Sequence, residues 1–255
     1  METREEWPKY HVGLIYGVPV VRFNSTNPES IEREAKRLWE VGLEVRRHFA
    51  LKLPEGGRAG YVYILKEGLA RAAWLSIHGS GKRRRLAAEF VEHVLRRARE
   101  EGWEVYEKVL EAVKAGRARG SLRLRGFEGV VEVEGRKHVV KVIGGGAEFG
   151  KGRSGKPLLR IIITAEVDGV RRVYEMAFSK RFRNAAACHA AAKAPGGREA
   201  DAERFTAVIK ALTGREPRVH RWGDGGIVVE CGKEHLEALA RYAELADVVT
   251  KWLEE

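Results

Sequence analysis

The chain has 255 residues, 44% of them hydrophobic, with 47 Lys and Arg against 36 Asp and Glu and a formal charge of +11. That length buries a substantial core as one large or two ordinary domains, and no apolar run approaches the roughly 18 residues of a membrane span. Two cysteines make no disulfide framework, and a surplus of cations attracts polyanions, of which nucleic acid is the commonest inside cells. An ion-paired hyperthermophile surface explains the density of charge but not its sign. The polar, acidic opening METREEWPKY lacks the basic-then-apolar order of a signal peptide, so the expected location is cytoplasmic.

Residues 9–24 carry the β-branched and aromatic content of a strand pair, with Gly17-Val18-Pro19 as the turn. Asn27 is a suitable N-cap and Pro28 a suitable first residue for a helix whose apolar stripe is Ile31, Ala35, Leu38, Val41 and Val45. HFALKL (48–53) and GYVYIL (60–65) form a hairpin across PEGGRA, and 66–79 is a short helix ending at glycine. A long helical region covers about 83–116 and is kinked or divided at Gly102. From 121 the pattern turns to strands, with Asp168-Gly169 the strongest hairpin signal in the chain. NAAACHAAAKA (184–194) reads as a short helix, 200–214 as a helix closed by Gly214, and PRVHRW with GIVVEC as a hairpin across GDGG. The segment from Lys233 onward reads as one terminal helix.

Residues 32–75 and 201–245 both run helix, strand, glycine turn, strand, helix, with Lys66, Glu67 and Leu69 opposite Lys233, Glu234 and Leu236. The expected fold is therefore α+β, built on pseudo-duplicated α-β-β-α units with antiparallel sheets, in halves 1–118 and 119–255.

GGGAEFGKGRSGKP (144–157) raises the question of a phosphate-binding loop. In both possible frames the hydroxyl position is filled by Gly152 or Pro157, and a strand follows where a helix is needed. The segment reads instead as a loop between strands carrying Lys151, Arg153 and Lys156. Lys82, Arg83, Arg84 and Arg85 stand at a helix start, where cations oppose the helix dipole. They are either phosphate contacts or solvated charge offset by Glu89 and Glu92. Lys180, Arg181 and Arg183 surround Phe182, a pattern suited to phosphate contact with base stacking, unless Phe182 is core.

Chemistry beyond binding finds little footing. Cys188-His189, Cys231 and His235 lack the spacing of a zinc site, while one disulfide between the cysteines stays open. There is no H-E-x-x-H or G-x-S-x-G motif, and no nucleophile–base pair can be argued. The expectation is a nucleic-acid-binding protein without catalytic residues, cofactor or metal. Its partner is DNA, RNA or a ribonucleoprotein such as the ribosome.

AGYVYILKEGLARAAWLS (59–76), RKHVVKVIGGGAE (136–148), GGREADAERF (196–205), ALTGREP (211–217) and ARYAELADVVTKWLEE (240–255) together resemble the PaREP-type proteins, second group, b branch. That resemblance implies a hyperthermophilic crenarchaeal source and a cytoplasmic protein, and no particular chemistry. The duplicated pattern also resembles, at the level of fold, the LAGLIDADG homing endonucleases, whose saddle-shaped sheets lie on DNA. Their catalytic acids end two interface helices, whereas AVKAGRARG (112–120) offers arginines, so the resemblance implies binding rather than cleavage. A divergent endonuclease is the alternative reading.

Overall fold

The computed structural model describes residues 7–152, 154–180 and 184–254. Its contacts divide the chain into two compact units, one made of the chain up to Ala118 together with Glu254 and the other running from Arg119 to Leu253.

The first unit opens with the hairpin β1 (His11–Ile15) and β2 (Val18–Ser25). Tyr16 and Gly17 turn it at φ 51° and 74°, the left-handed pair that matches strand twist. In α1 (Pro28–Val41) the Asn27 Oδ1 accepts the Glu29 N–H at 2.9 Å, and Gly42 ends the helix at φ 102°. Of the expected stripe, Ile31, Leu38 and Val41 are fully buried and Ala35 is half-buried, whereas Val45 lies beyond the end of α1 and is exposed. The hairpin β3 (Phe49–Lys52) and β4 (Gly60–Ile64) completes an antiparallel sheet in the order β1-β2-β4-β3. Alternation along β4 sends Val62 and Ile64 into the core with α1 and leaves Tyr61 and Tyr63 on the other face. The helices α2 (Lys66–His78), α3 (Gly81–Glu101) and α4 (Trp103–Ala118) follow, and Gly102 divides the last two at φ 134°.

Two buried polar groups fasten this core. The Tyr10 hydroxyl donates to the Glu34 carboxylate, which ties the chain ahead of β1 to α1. His93 on α3 bonds the Pro8 carbonyl through Nε2 at 3.0 Å, while Arg96 meets Nδ1 at 2.9 Å. Burial first, then the Arg96 guanidinium, holds the His93 pKa below its usual value, so the ring is neutral. A histidine with a depressed folded pKa leaves stability intact above its unfolded pKa of about 6.5 and erodes it as pH falls from there through the folded value. Denaturant melts at pH 7.5 and 5.5 should therefore show a loss at the lower pH that shrinks in His93→Gln.

The second unit begins with a meander of β5 (Glu128–Val133), β6 (Arg136–Lys151), β7 (Pro157–Val167) and β8 (Val170–Phe178), in that order. Asp168 and Gly169 make its last turn at φ 51° and 81°. One face of β7, from Leu159 through Ile161 and Ile163 to Val167, is fully buried. On the other face Glu128, Lys141, Glu166 and Arg171 stand in one cross-strand row of alternating charge. After the meander come β9 (Ala186–His189), α5 (Gly197–Thr213), β10 (Arg218–Arg221), β11 (Ile227–Cys231), α6 (Lys233–Leu239) and α7 (Ala243–Glu254). The second sheet of this unit is antiparallel in the order β10-β11-β9.

The internal echo is present in the topology. β2-α1-β3-β4-α2 and β9-α5-β10-β11-α6 have matching sheet orders, β2-β4-β3 and β9-β11-β10. Lys66 and Lys233 open equivalent helices. The match also takes in the preceding strand, which corrects one reading: the alanine-rich segment 184–194 contains the strand β9, not a helix. Pairing with β11 and burial of Ala186 and Cys188 outweigh the helix propensity of alanine there. The terminal helix is likewise broken. Residues 120–122 take the Ala240 and Arg241 carbonyls at 3.0 and 2.9 Å, which separates α6 from α7.

Beyond the repeat the units differ. The first unit adds α3 and α4, while the second carries the separate meander, and among the described residues no helix precedes β1. The homing-endonuclease saddle, with two like halves, gains no support from this arrangement.

Candidate nucleic-acid interface

Lys82, Arg83, Arg84 and Arg85 are all exposed in the first turn of α3. The Ser80 side chain makes no capping bond, and that turn holds no acidic residue. The four charges therefore face the positive end of the helix dipole without local compensation inside the turn. One of them is paired from elsewhere: Lys82 Nζ lies 2.9 Å from Glu40 Oε2. Trp39, 66% exposed, stands beside this pair. Trp39, Glu40, Ser80, Lys82 and Arg83 line a shallow concavity of about 350 Å³. The sequence held a signal for Trp39, which lies off the buried stripe of α1 and so faces outward.

The glycine-rich run is only partly a loop. Residues 144–151 continue β6 after a bulge between Val142 and Gly144, leaving a short turn at 152–156. Within it, Gly152 N–H donates to the Lys156 carbonyl at 2.8 Å and Gly155 N–H to the Gly152 carbonyl at 2.9 Å. The amides of Gly152 and Gly155 are thus engaged within the turn, and β7 follows directly where a phosphate-binding loop has a helix. Lys151 and Lys156 are exposed at the two ends of the turn, and Arg153 lies outside the described residues.

Lys180 has a partner inside the second unit. Its ammonium donates to the Trp252 carbonyl at the end of α7 and lies 4.8 Å from the Trp252 ring centroid. A cation there complements the negative helix terminus. Arg181, Phe182 and Arg183 lie outside the described residues. Of the predicted clusters, 82–85 belongs to the first unit, and 151–156 with Lys180 to the second.

A further surface escaped the sequence reading. On the side of the first unit's sheet away from its core, His11, Arg22, Tyr63 and Ala50 form one cross-strand row, and Asn24, Tyr61 and Lys52 the next. The Arg22 guanidinium lies 4.9 Å from the Tyr61 ring centroid. The alternation in GYVYI was the available signal: with valine and isoleucine facing in, both tyrosines face out.

The remaining polar groups tie elements of the second unit together. Both nitrogens of buried His138 meet carboxylates, Asp168 at 2.6 Å and Glu203 at 3.2 Å, joining β6 to the β7–β8 turn and α5. Burial raises the Asp168 pKa, but hydrogen bonds from the Val139 N–H and His138 outweigh it and hold the carboxyl below its usual value. Cys188 and Cys231 are free and buried; burial, with Glu175 adding to it, pushes the Cys188 thiol up to about 12, which removes the reactive thiolate. Among the described residues, no three or more His, Cys, Asp or Glu are grouped to hold a metal ion, and no helix is long and apolar enough to cross a membrane.

These features define an α+β protein of two units, sharing one repeated β-α-β-β-α element and carrying exposed basic turns. The model of the PaRep2b protein family matches residues 29–255, and the chain belongs to that family. No curated protein and no solved structure matches it.

Proposed function

We propose that this protein binds nucleic acid in the cytoplasm through its exposed basic turns and performs no catalysis of its own. The observation that carries the reading is the run Lys82–Arg85, set where the helix dipole disfavours cations and beside a largely exposed tryptophan. Four cations at a helix N-terminus are unfavourable for the fold alone, and phosphate oxygens relieve that cost by neutralising them. Lys151 and Lys156 extend the same chemistry to the second unit. DNA, RNA and a ribonucleoprotein all present the phosphates that this reading requires.

The test is incubation of the full chain with labelled duplex and single-stranded oligonucleotides and with supercoiled plasmid, with and without magnesium. Retention of the oligonucleotides with the plasmid left intact is the expected result. Magnesium-dependent nicking makes the protein an endonuclease instead, and no retention of any nucleic acid removes the proposal.

A further inference from the structure

The sheet of the first unit has one face in the core and one outside it. On the outer face the central strands carry Tyr61, Tyr63 and Arg22, flanked by His11, Asn24 and Lys52. Both tyrosines are half-buried and the other four are exposed. No carboxylate stands in either of these rows, so their cations are not neutralised across the strands.

The second copy of the repeat provides an internal contrast. Registering α6 on α2 puts Val228 where the first unit has Tyr61 and Glu230 where it has Tyr63. Glu230 is paired across the strands with Arg218 and lies 3.4 Å from His220. The outer row of the meander alternates acid and base, as described above. At those two positions the second copy has a buried valine and a glutamate that meets His220, whereas the first copy has two half-buried tyrosines beside exposed cations.

We infer that the outer face of the first unit's sheet is a stacking platform for single-stranded nucleic acid, with successive bases on Tyr61 and Tyr63 and the backbone held by Arg22, His11 and Lys52. The inference rests on the nucleic-acid reading above and adds the strand state of the ligand. Aromatic rings on a sheet stack unpaired bases with little regard to sequence, and a guanidinium plane offers a second stacking surface. Tyr61 and Tyr63 are two residues apart, a rise of about 6.8 Å along the strand. That is about twice the 3.4 Å step between stacked bases in a duplex strand, so bases that engage both rings must be unstacked. A duplex keeps its bases paired inside the helix and leaves these rings without a partner.

The experiment is fluorescence anisotropy with a labelled single-stranded oligouridylate and a duplex of equal length, at constant salt. The native chain is compared with Tyr61→Leu/Tyr63→Leu, with Tyr61→Phe/Tyr63→Phe and with a variant carrying glutamine at 82–85. Stacking of two bases predicts that the leucine variant loses about fivefold or more in single-strand affinity for each ring. Its duplex affinity should stay level, and the phenylalanine variant, which keeps both π-faces, should retain single-strand binding. Equal single-strand affinity in the native and leucine chains overturns the platform; if the glutamine variant still loses binding, nucleic-acid recognition survives elsewhere. No binding of either ligand by the native chain overturns both readings. Should the leucine variant misfold, photo-crosslinking the native chain to an iodouridine oligomer decides the matter. Cross-links at Tyr61 or Tyr63 support the platform, and cross-links confined to other peptides overturn it.

Discussion

Replacing Lys82, Arg83, Arg84 and Arg85 together by glutamine should weaken nucleic-acid binding and flatten its dependence on salt without destabilising the protein. Each cation that neutralises a phosphate releases counterions and adds about 0.9 to the log–log salt slope on duplex DNA. Four lost contacts remove about 3.6 from that slope, which between 50 and 200 mM salt corresponds to on the order of a hundredfold in affinity. The folding side of the prediction has the opposite sign. Cations at a helix start cost roughly 0.3–1 kcal/mol each at low salt, so glutamine relieves them. The ion pair between Lys82 and Glu40 is exposed at the lysine, and such a pair contributes about 1 kcal/mol at most. Thermal melts of the variant should match or exceed those of the native chain while its affinity falls. A variant that binds as tightly as the native chain, with the same slope, removes the cluster from the interface.

The second large effect belongs to packing. Where α4 crosses α2, a Cβ added at Gly116 would stand 2.8 Å from the Ala70 Cα and nearer still to the Ala70 carbonyl oxygen. Both obstacles are backbone, so no rotamer change relieves them and the helices must separate. With backbone this close the overpacking cost falls at the upper end of the usual range, about 3 kcal/mol, and leaves about 2 kcal/mol after the gain of up to about 1 kcal/mol from replacing a helical glycine. Gly116→Ala should lower the melting temperature of the first unit by about 4 °C or more. Lys114→Ala, on the exposed side of the same helix, should change it by no more than about 2 °C. Equal melting of both variants with the native chain would show that the crossing is looser than the geometry requires.

What the sequence disclosed follows from how local each signal was. Asn27-Pro28, Gly102, Gly214 and Asp168-Gly169 act within a few residues of backbone, and each turns or ends an element where expected. The echo between 32–75 and 201–245 was legible because turn glycines and helix starts recur in order. Its first strand was hidden, since 184–194 has the composition of a helix and becomes β9 only by pairing with β11, some forty residues on. The break between α6 and α7 was hidden for the same reason: residues 120–122 arrive from over a hundred positions away. Residues 144–151 looked like a loop because glycine is rare in strands, yet β7 pairs with that whole run. Of the candidate interface, the basic run at 82–85 was plain in the sequence. Trp39 and the tyrosine rows were legible only indirectly, as the positions left over once the apolar stripe of α1 and the inward valine and isoleucine of β4 are assigned to the core.

The central claim is that this chain binds nucleic acid through phosphate contacts. It is tested most directly by measuring the affinity of the full native chain for one labelled oligonucleotide from 50 to 200 mM salt. Contacts from the cluster at 82–85 alone predict a steep linear fall of log K with log salt, with a slope near −3.6 on duplex DNA and about −2.8 on a single strand. An affinity that stays flat across that range, or no binding at its lower end, would contradict the claim.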